Sequence, residues 1–217
     1  MTEPPHQRST RRAYDTVAVD YAELLRDELA AKPLDRAVLA AFVDLVHDDG
    51  GGPVADLGCG PGRVTAHLHA LGQPAFGVDL SPAMVAVARR SYPELRFEQG
   101  SIAALDLDAA ALAGVVAWYS VIHTPPELQP DVFDEFARVL RPGGRLLVVF
   151  QVGDERVHLD HAYGHEVSLD VYRLSPDRVT EQLGTAGLAV TARLIREPTG
   201  REQQPQAYLF ARKSTAV

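Results

Sequence analysis

The residues with the clearest chemical potential lie close together in Asp56-Leu57-Gly58-Cys59-Gly60-Pro61-Gly62, with Asp79 about 20 residues further on. Apolar residues from Val54 to Leu57 lead into this loop, and a helical pattern starts near Arg63. Glycines at alternate positions let the backbone turn sharply and lie directly against a ligand. The helix that follows points unpaired N–H groups back at whatever sits there. Asp79 closes a second short apolar run, where a carboxylate can accept hydrogen bonds from both hydroxyls of a ribose. The pattern points to a nucleoside-bearing cofactor. Asp56 narrows it further, because a carboxylate just before the first glycine repels a pyrophosphate and attracts a cationic amino-acid head group. A βα turn whose glycines serve packing alone is the competing reading.

The acidic-x-Gly-x-Gly-x-Gly loop and the acidic residue ending the next strand resemble the first two motifs of the class I S-adenosylmethionine (SAM)-dependent methyltransferases, of the bacterial small-molecule type. The resemblance runs from about Tyr14 to the C-terminus and includes Val139-Leu140-Arg141-Pro142-Gly143-Gly144 ahead of a later strand. It implies SAM as cofactor and S-adenosylhomocysteine (SAH) as product. The cofactor contacts implied are Asp56, Gly58, Cys59 and Gly60 in the loop, Asp79 and Leu80 at the ribose, and Met84 behind them. Gly100, Ser101 and Ile102 fall at the adenine, and Tyr119 and Ser120 end the fourth strand. Tyr14 and Tyr21 match a Tyr-x6-Tyr pair that closes over the cofactor in such families; core aromatics on an amphipathic helix are the plain alternative. Two departures stand out. Ser101 replaces the aspartate that relatives commonly present to the adenine amino group, and the fourth strand lacks the family's frequent acidic residue.

Methyl transfer from a sulfonium is an in-line displacement that needs the nucleophile close, aligned and shielded from water. An acceptor hydroxyl, phenol or ammonium must also lose its proton, for which a near-neutral histidine is suited. His123 follows the fourth strand at the edge where open α/β sheets bind ligands, so it is the first candidate for the base. His161 and His165, in a segment that roofs the pocket in many relatives, are the runners-up. His158, His161 and His165 would share one face of a helix, as a metal site needs, but Gly164 and the alternating run beyond it argue against helix and no metal is expected.

The elements that must position these residues read in order. Residues 1–12, with Arg8, Arg11 and Arg12, suggest a mobile, solvated tail. An apolar stripe through Tyr14, Val17, Tyr21 and Leu24 and a second from Asp35 to Val46 suggest two covering helices. Strands are expected at 53–57, 75–78, 95–98, 115–120 and 145–152, with helices between them, one of them capped by Ser81-Pro82. An added strand reads over 166–174, a helix from Ser175, and a closing hairpin over 189–197 and 206–212. The fold class is therefore α/β: a doubly wound, mostly parallel, seven-stranded Rossmann-like sheet with a C-terminal antiparallel hairpin and an N-terminal helical cover. One domain fits the whole of 1–217, divided into the cover at 1–48, a cofactor core at 49–152, a substrate roof at 153–174 and the last helix and hairpin at 175–217.

Bulk properties bound the function. The 217 residues, 46% hydrophobic and 23% charged, suit one soluble domain. The net charge of −8 argues against a nucleic-acid substrate, as does the missing Asn-Pro-Pro-Tyr-type signature after the fourth strand. No apolar run suits a membrane span and no signal-peptide core is evident, so a cytoplasmic location is expected. Cys59, the only cysteine, reads as a small packing side chain. The function expected is methylation of a small molecule on O, N or C. A non-catalytic SAM-binding or regulatory protein, or an NAD-dependent oxidoreductase using Asp79, are the alternatives, and the strand near 166–174 could pair across a homodimer.

Overall fold

The computed structural model describes residues 3–215. Seven strands form one sheet: β1 (Val54–Leu57), β2 (Ala75–Asp79), β3 (Phe97–Gln99), β4 (Leu112–Trp118), β5 (Leu140–Gln151), β8 (Leu188–Arg196) and β9 (Gln206–Lys213), in the order β3-β2-β1-β4-β5-β9-β8. Pairings from β3 to β5 are parallel, and β9 runs antiparallel to both β5 and β8. This is the expected fold class, with the antiparallel hairpin at the C-terminal side. Every residue of β4 is buried, as befits a central parallel strand covered on both faces.

Helices α3 (Pro33–Asp48) and α4 (Arg63–Ala70) cover one face, where Leu39, Phe42, Val46 and Leu68 pack with Val116, Leu147 and Tyr208. On the other face α6 (Gln129–Val139) and α7 (Pro176–Thr185) bury Phe133, Phe136, Val179 and Leu183 against Val115, Val148 and Leu209. Between β2 and β3, α5 (Pro82–Ser91) starts as its sequence dictates: Ser81 Oγ accepts from the Met84 N–H at 3.1 Å and Pro82 opens the first turn. The strand order reverses where β1 lies between β2 and β4, so the carboxyl ends of these strands open a crevice.

Several boundaries differ from expectation. Residues 5–12 are not a tail but the start of α1 (Pro5–Leu24), with a proline at its first position; residues 1–2 lie outside the described part of the chain. The arginine cluster is correspondingly structured, with Arg8 and Arg11 paired to Glu3 and Arg11 also to Asp15, an i,i+4 pair. A short α2 (Glu28–Ala31) follows α1. β4 ends at Trp118 rather than at Ser120, because Tyr119 adopts a left-handed backbone (φ 56°) that stops the strand. The histidine-bearing stretch is itself a strand, β6 (Arg156–Ala162), which pairs antiparallel with β7 (His165–Tyr172) as a separate two-stranded sheet. Across β7, the Ser9 hydroxyl of α1 donates to the Ser168 carbonyl at 2.6 Å, so cover and hairpin are joined. Among the described residues no helix is long and apolar enough to cross a membrane.

Candidate active site

A cavity of about 450 Å³ opens at the carboxyl ends of β1, β2, β3 and β4, beneath α1. Of the expected site residues, Tyr14, Tyr21, Gly58, Gly60, Asp79, Leu80, Met84, Ser101, Ile102, Tyr119, Ser120 and His123 line it. Residues more than 100 positions apart are thus gathered by the sheet.

The floor is built by hydrogen bonds to backbone. The Gly58 and Cys59 N–H groups both donate to the Val78 carbonyl, at 2.7 and 3.1 Å, folding the glycine loop over the end of β2. Asp79 then clamps two turns: one oxygen accepts from the Gly60 N–H and the other from the Ser81 N–H, each at 2.8 Å. Burial pushes the Asp79 carboxyl up to about 6, opposed by those two backbone donors. Gly58 is required by its neighbour. A Cβ there would sit 2.3 Å from the Ser120 Cβ, on a backbone with φ +76° that side chains rarely adopt. The left-handed turn at Tyr119 is what brings Ser120 so close.

Three expected cofactor contacts lie outside the cavity wall. Asp56 is fully buried behind the loop and points toward α4, where the Thr65 hydroxyl donates to one carboxylate oxygen at 2.7 Å. Its other oxygen has no partner, and burial pushes the carboxyl up to about 7. Cys59 is buried with Phe97, Val85 and Ala88, and a Cβ on Gly77 would come within 2.6 Å of its sulfur. Gly100 donates its N–H to the Asp79 carbonyl at 2.9 Å and braces the clamp from below.

The roof comes from α1. Asp15 accepts from the Ser81 hydroxyl at 2.6 Å, fastening α1 to α5. Tyr14 and Tyr21 meet edge to face with centroids 5.9 Å apart, and Tyr21 packs in the same way on Tyr163 at 4.8 Å. His123 lies where three elements converge. Its Nδ1 is 3.0 Å from the Asp170 carbonyl of β7 and its Nε2 is 2.7 Å from the Tyr14 hydroxyl. A carbonyl can only accept, so Nδ1 carries the proton and Nε2 accepts from Tyr14. Burial lowers the imidazole pKa and raises that of the Tyr14 phenol well above its usual value, so both groups stay neutral.

The other histidines face elsewhere. His161 is exposed on β6 opposite Glu166, His165 binds Asp20 at 2.7 Å on the surface, and His158 binds Asp170 Oδ1 at 2.7 Å. None of the three lines the cavity. Sequence reasoning missed His6, Gln7, Thr10 and Arg11, which line the cavity from the first turns of α1, and Trp118 and Val132. The Arg11–Asp15 spacing and Pro5 were the available signals for helix there.

Whether these residues fit a nucleoside cofactor can be tested on the structure. The Ser120 Oγ and Tyr119 hydroxyl are buried without hydrogen-bond partners, although both residues border the cavity. Native proteins rarely leave such groups unsatisfied. At Gly60, with φ +54°, an added Cβ would stand 3.9 Å from the Tyr21 ring, so the glycine loop lies directly beneath the roof. Loop, clamp and roof fit a bound nucleoside carrying an amino-acid tail.

Residues 54–144 match the family described as "Methyltransferase domain". The trans-aconitate 2-methyltransferase of Rhizobium meliloti (strain 1021) is 37% identical over 127 residues, covering 57% of this chain and 47% of that protein. Its counterpart in Escherichia coli O157:H7 (strain EC4115 / EHEC) is 36% identical over 132 residues, covering 60% and 50%. The chain thus spans about half the length of the curated relatives it matches. Among solved structures, the 1,6-didemethyltoxoflavin-N1-methyltransferase of Burkholderia thailandensis, with bound 1,6-didemethyltoxoflavin and SAH, superposes with a TM-score of 0.73 at 21% identity, covering 99% of this chain and 92% of that one. The SAM-bound magnesium protoporphyrin IX methyltransferase of Synechocystis PCC 6803 gives a TM-score of 0.74 at 18% identity, covering 99% and 100%. At those identities the likeness is one of fold. With the family match over residues 54–144, the chain carries a methyltransferase domain on the fold that the SAM- and SAH-bound methyltransferases above share.

Proposed function

We propose that the chain binds SAM in the cavity under α1 and transfers its methyl group to an oxygen, nitrogen or carbon of a small molecule. The observation that carries this reading is the placement of the Asp79 clamp, the Gly58–Gly60 loop and the neutral His123 around one cavity. SAM supplies an electrophilic methyl on a sulfonium. The protein's part is binding, alignment and exclusion of water. Asp79 uses one lone pair of each oxygen on the backbone and keeps the others for a diol. Ser120 Oγ offers an unspent hydrogen-bonding group on the opposite wall.

His123 is the candidate general base. With Nδ1–H held by the Asp170 carbonyl, the Nε2 lone pair points at the Tyr14 hydroxyl, and an acceptor O–H or N–H entering beside Tyr14 competes for it. A cytoplasmic setting agrees with the reading. A homodimer, if formed by strand pairing, would use the outer edge of β6, since β7 is already paired with β6 and crossed by α1.

Calorimetric titration with SAM, SAH and NAD tests the proposal. Micromolar binding of SAM and SAH without NAD is expected. Binding of NAD alone would overturn the reading in favour of an oxidoreductase. SAM binding without methyl transfer to any acceptor in a broad screen would favour a regulatory protein.

A further inference from the structure

Resting on the methyltransferase reading above, we propose that the acceptor is a neutral or cationic, largely apolar small molecule, and not a polycarboxylate. The charge inventory of the cavity carries this. Among the described residues, Arg11 is the only lysine or arginine lining it. Its guanidinium is already spoken for. Nε and Nη2 donate to the two oxygens of Glu3 at 2.9 and 3.1 Å, and Nη1 donates to Asp15 at 3.3 Å. The fork of Arg11 is therefore filled in the bidentate geometry that would otherwise grip a substrate carboxylate.

The lining histidines add no cation. His123 has one nitrogen on the Asp170 carbonyl and the other on Tyr14, and burial lowers the pKa of His6. A carboxylate, by contrast, is present. Asp131, in the first turn of α6, lines the cavity and makes no side-chain hydrogen bond or ion pair among the described residues. An acceptor with several carboxylates would shed its hydration against a wall with no unpaired cation and with the Asp131 carboxylate as a like charge.

The remaining wall suits the opposite kind of molecule. Pro4, Pro5, Leu128 and Val132 present apolar surface, and Tyr14 presents an aromatic ring. An amine on the acceptor would find a counter-charge in Asp131.

The test uses the full chain saturated with SAH, titrated calorimetrically with trans-aconitate and, separately, with catechol, tyramine and 4-hydroxyquinoline. At least one of the three aromatics is expected to bind roughly tenfold or more tightly than trans-aconitate. Any smaller preference, including no binding by the aromatics, overturns the acceptor class while leaving the methyltransferase reading in place. Failure of SAH itself to bind overturns both, and the saturation step reports that separately.

Discussion

At the scale of residues, the site depends on groups whose ionisation burial has displaced. His123 is kept neutral by burial and held in one tautomer by the Asp170 carbonyl, which is what a base at neutral pH requires. Replacing it with alanine is expected to lower kcat by roughly 10²–10⁴-fold, while the SAH Kd, measured calorimetrically, stays within about threefold. An unchanged kcat would remove His123 from the mechanism. Asp56 gives a prediction with a definite sign. Its folded-state pKa of about 7 lies above the ordinary value of 3.8, so the folded protein holds this proton more tightly than the unfolded chain does. The group therefore costs stability progressively as pH rises from about 4 to about 7, and by a constant amount above that. In Asp56→Asn this dependence is absent. The unfolding free energy of the ligand-free variant, relative to the native chain, should shift in the variant's favour by on the order of 2–3 kcal/mol between about pH 5 and pH 8. Denaturant titrations at the two pH values measure it, and a flat difference would show that Asp56 ionises normally.

At the scale of elements, α1 is the part whose role composition concealed. Two prolines and three arginines in residues 4–12 suggest solvated chain, because neither residue type is a core former. The helix forms because Pro5 suits its first position, Arg11 pairs with Asp15 one turn on, and Ser9 finds a carbonyl on β7. Only the first two of these are local. Deleting residues 3–12 should leave the cooperative unfolding of the sheet intact, since Asp15, Tyr14 and Tyr21 still dock, but should weaken SAH binding roughly tenfold or more by opening one wall. Calorimetry and circular dichroism on the truncated chain distinguish lost binding from lost fold. The β6–β7 hairpin was half legible. The alternation of 166–174 announced one strand, whereas its partner, carrying His158 and His161, shows no clean period and became a strand only by pairing.

At the scale of the whole molecule, α3, the central sheet and the C-terminal hairpin are tied together through Tyr208. Its hydroxyl donates to Asp35 of α3 at 2.6 Å and accepts from Arg196 of β8 at 2.9 Å, while its ring packs on Trp118 beside the cavity. Tyr208→Phe leaves a buried carboxylate and guanidinium short of a partner and should cost about 1–3 kcal/mol, read as a lower denaturant midpoint at unchanged slope. The succession of strands and helices along the chain, the mostly parallel sheet and the glycine loop were all legible in the chain, because each rests on local signals: alternate glycines, apolar runs of strand length and Ser-Pro helix starts. Three-dimensional packing decided the rest. It turned Asp56 away from the cavity toward Thr65, left His161 and His165 on the surface, and filled the one cavity arginine with Glu3 and Asp15. Periodicity places a residue on an element, but the direction of its side chain, and the partner that neutralises it, depend on contacts between segments far apart in sequence.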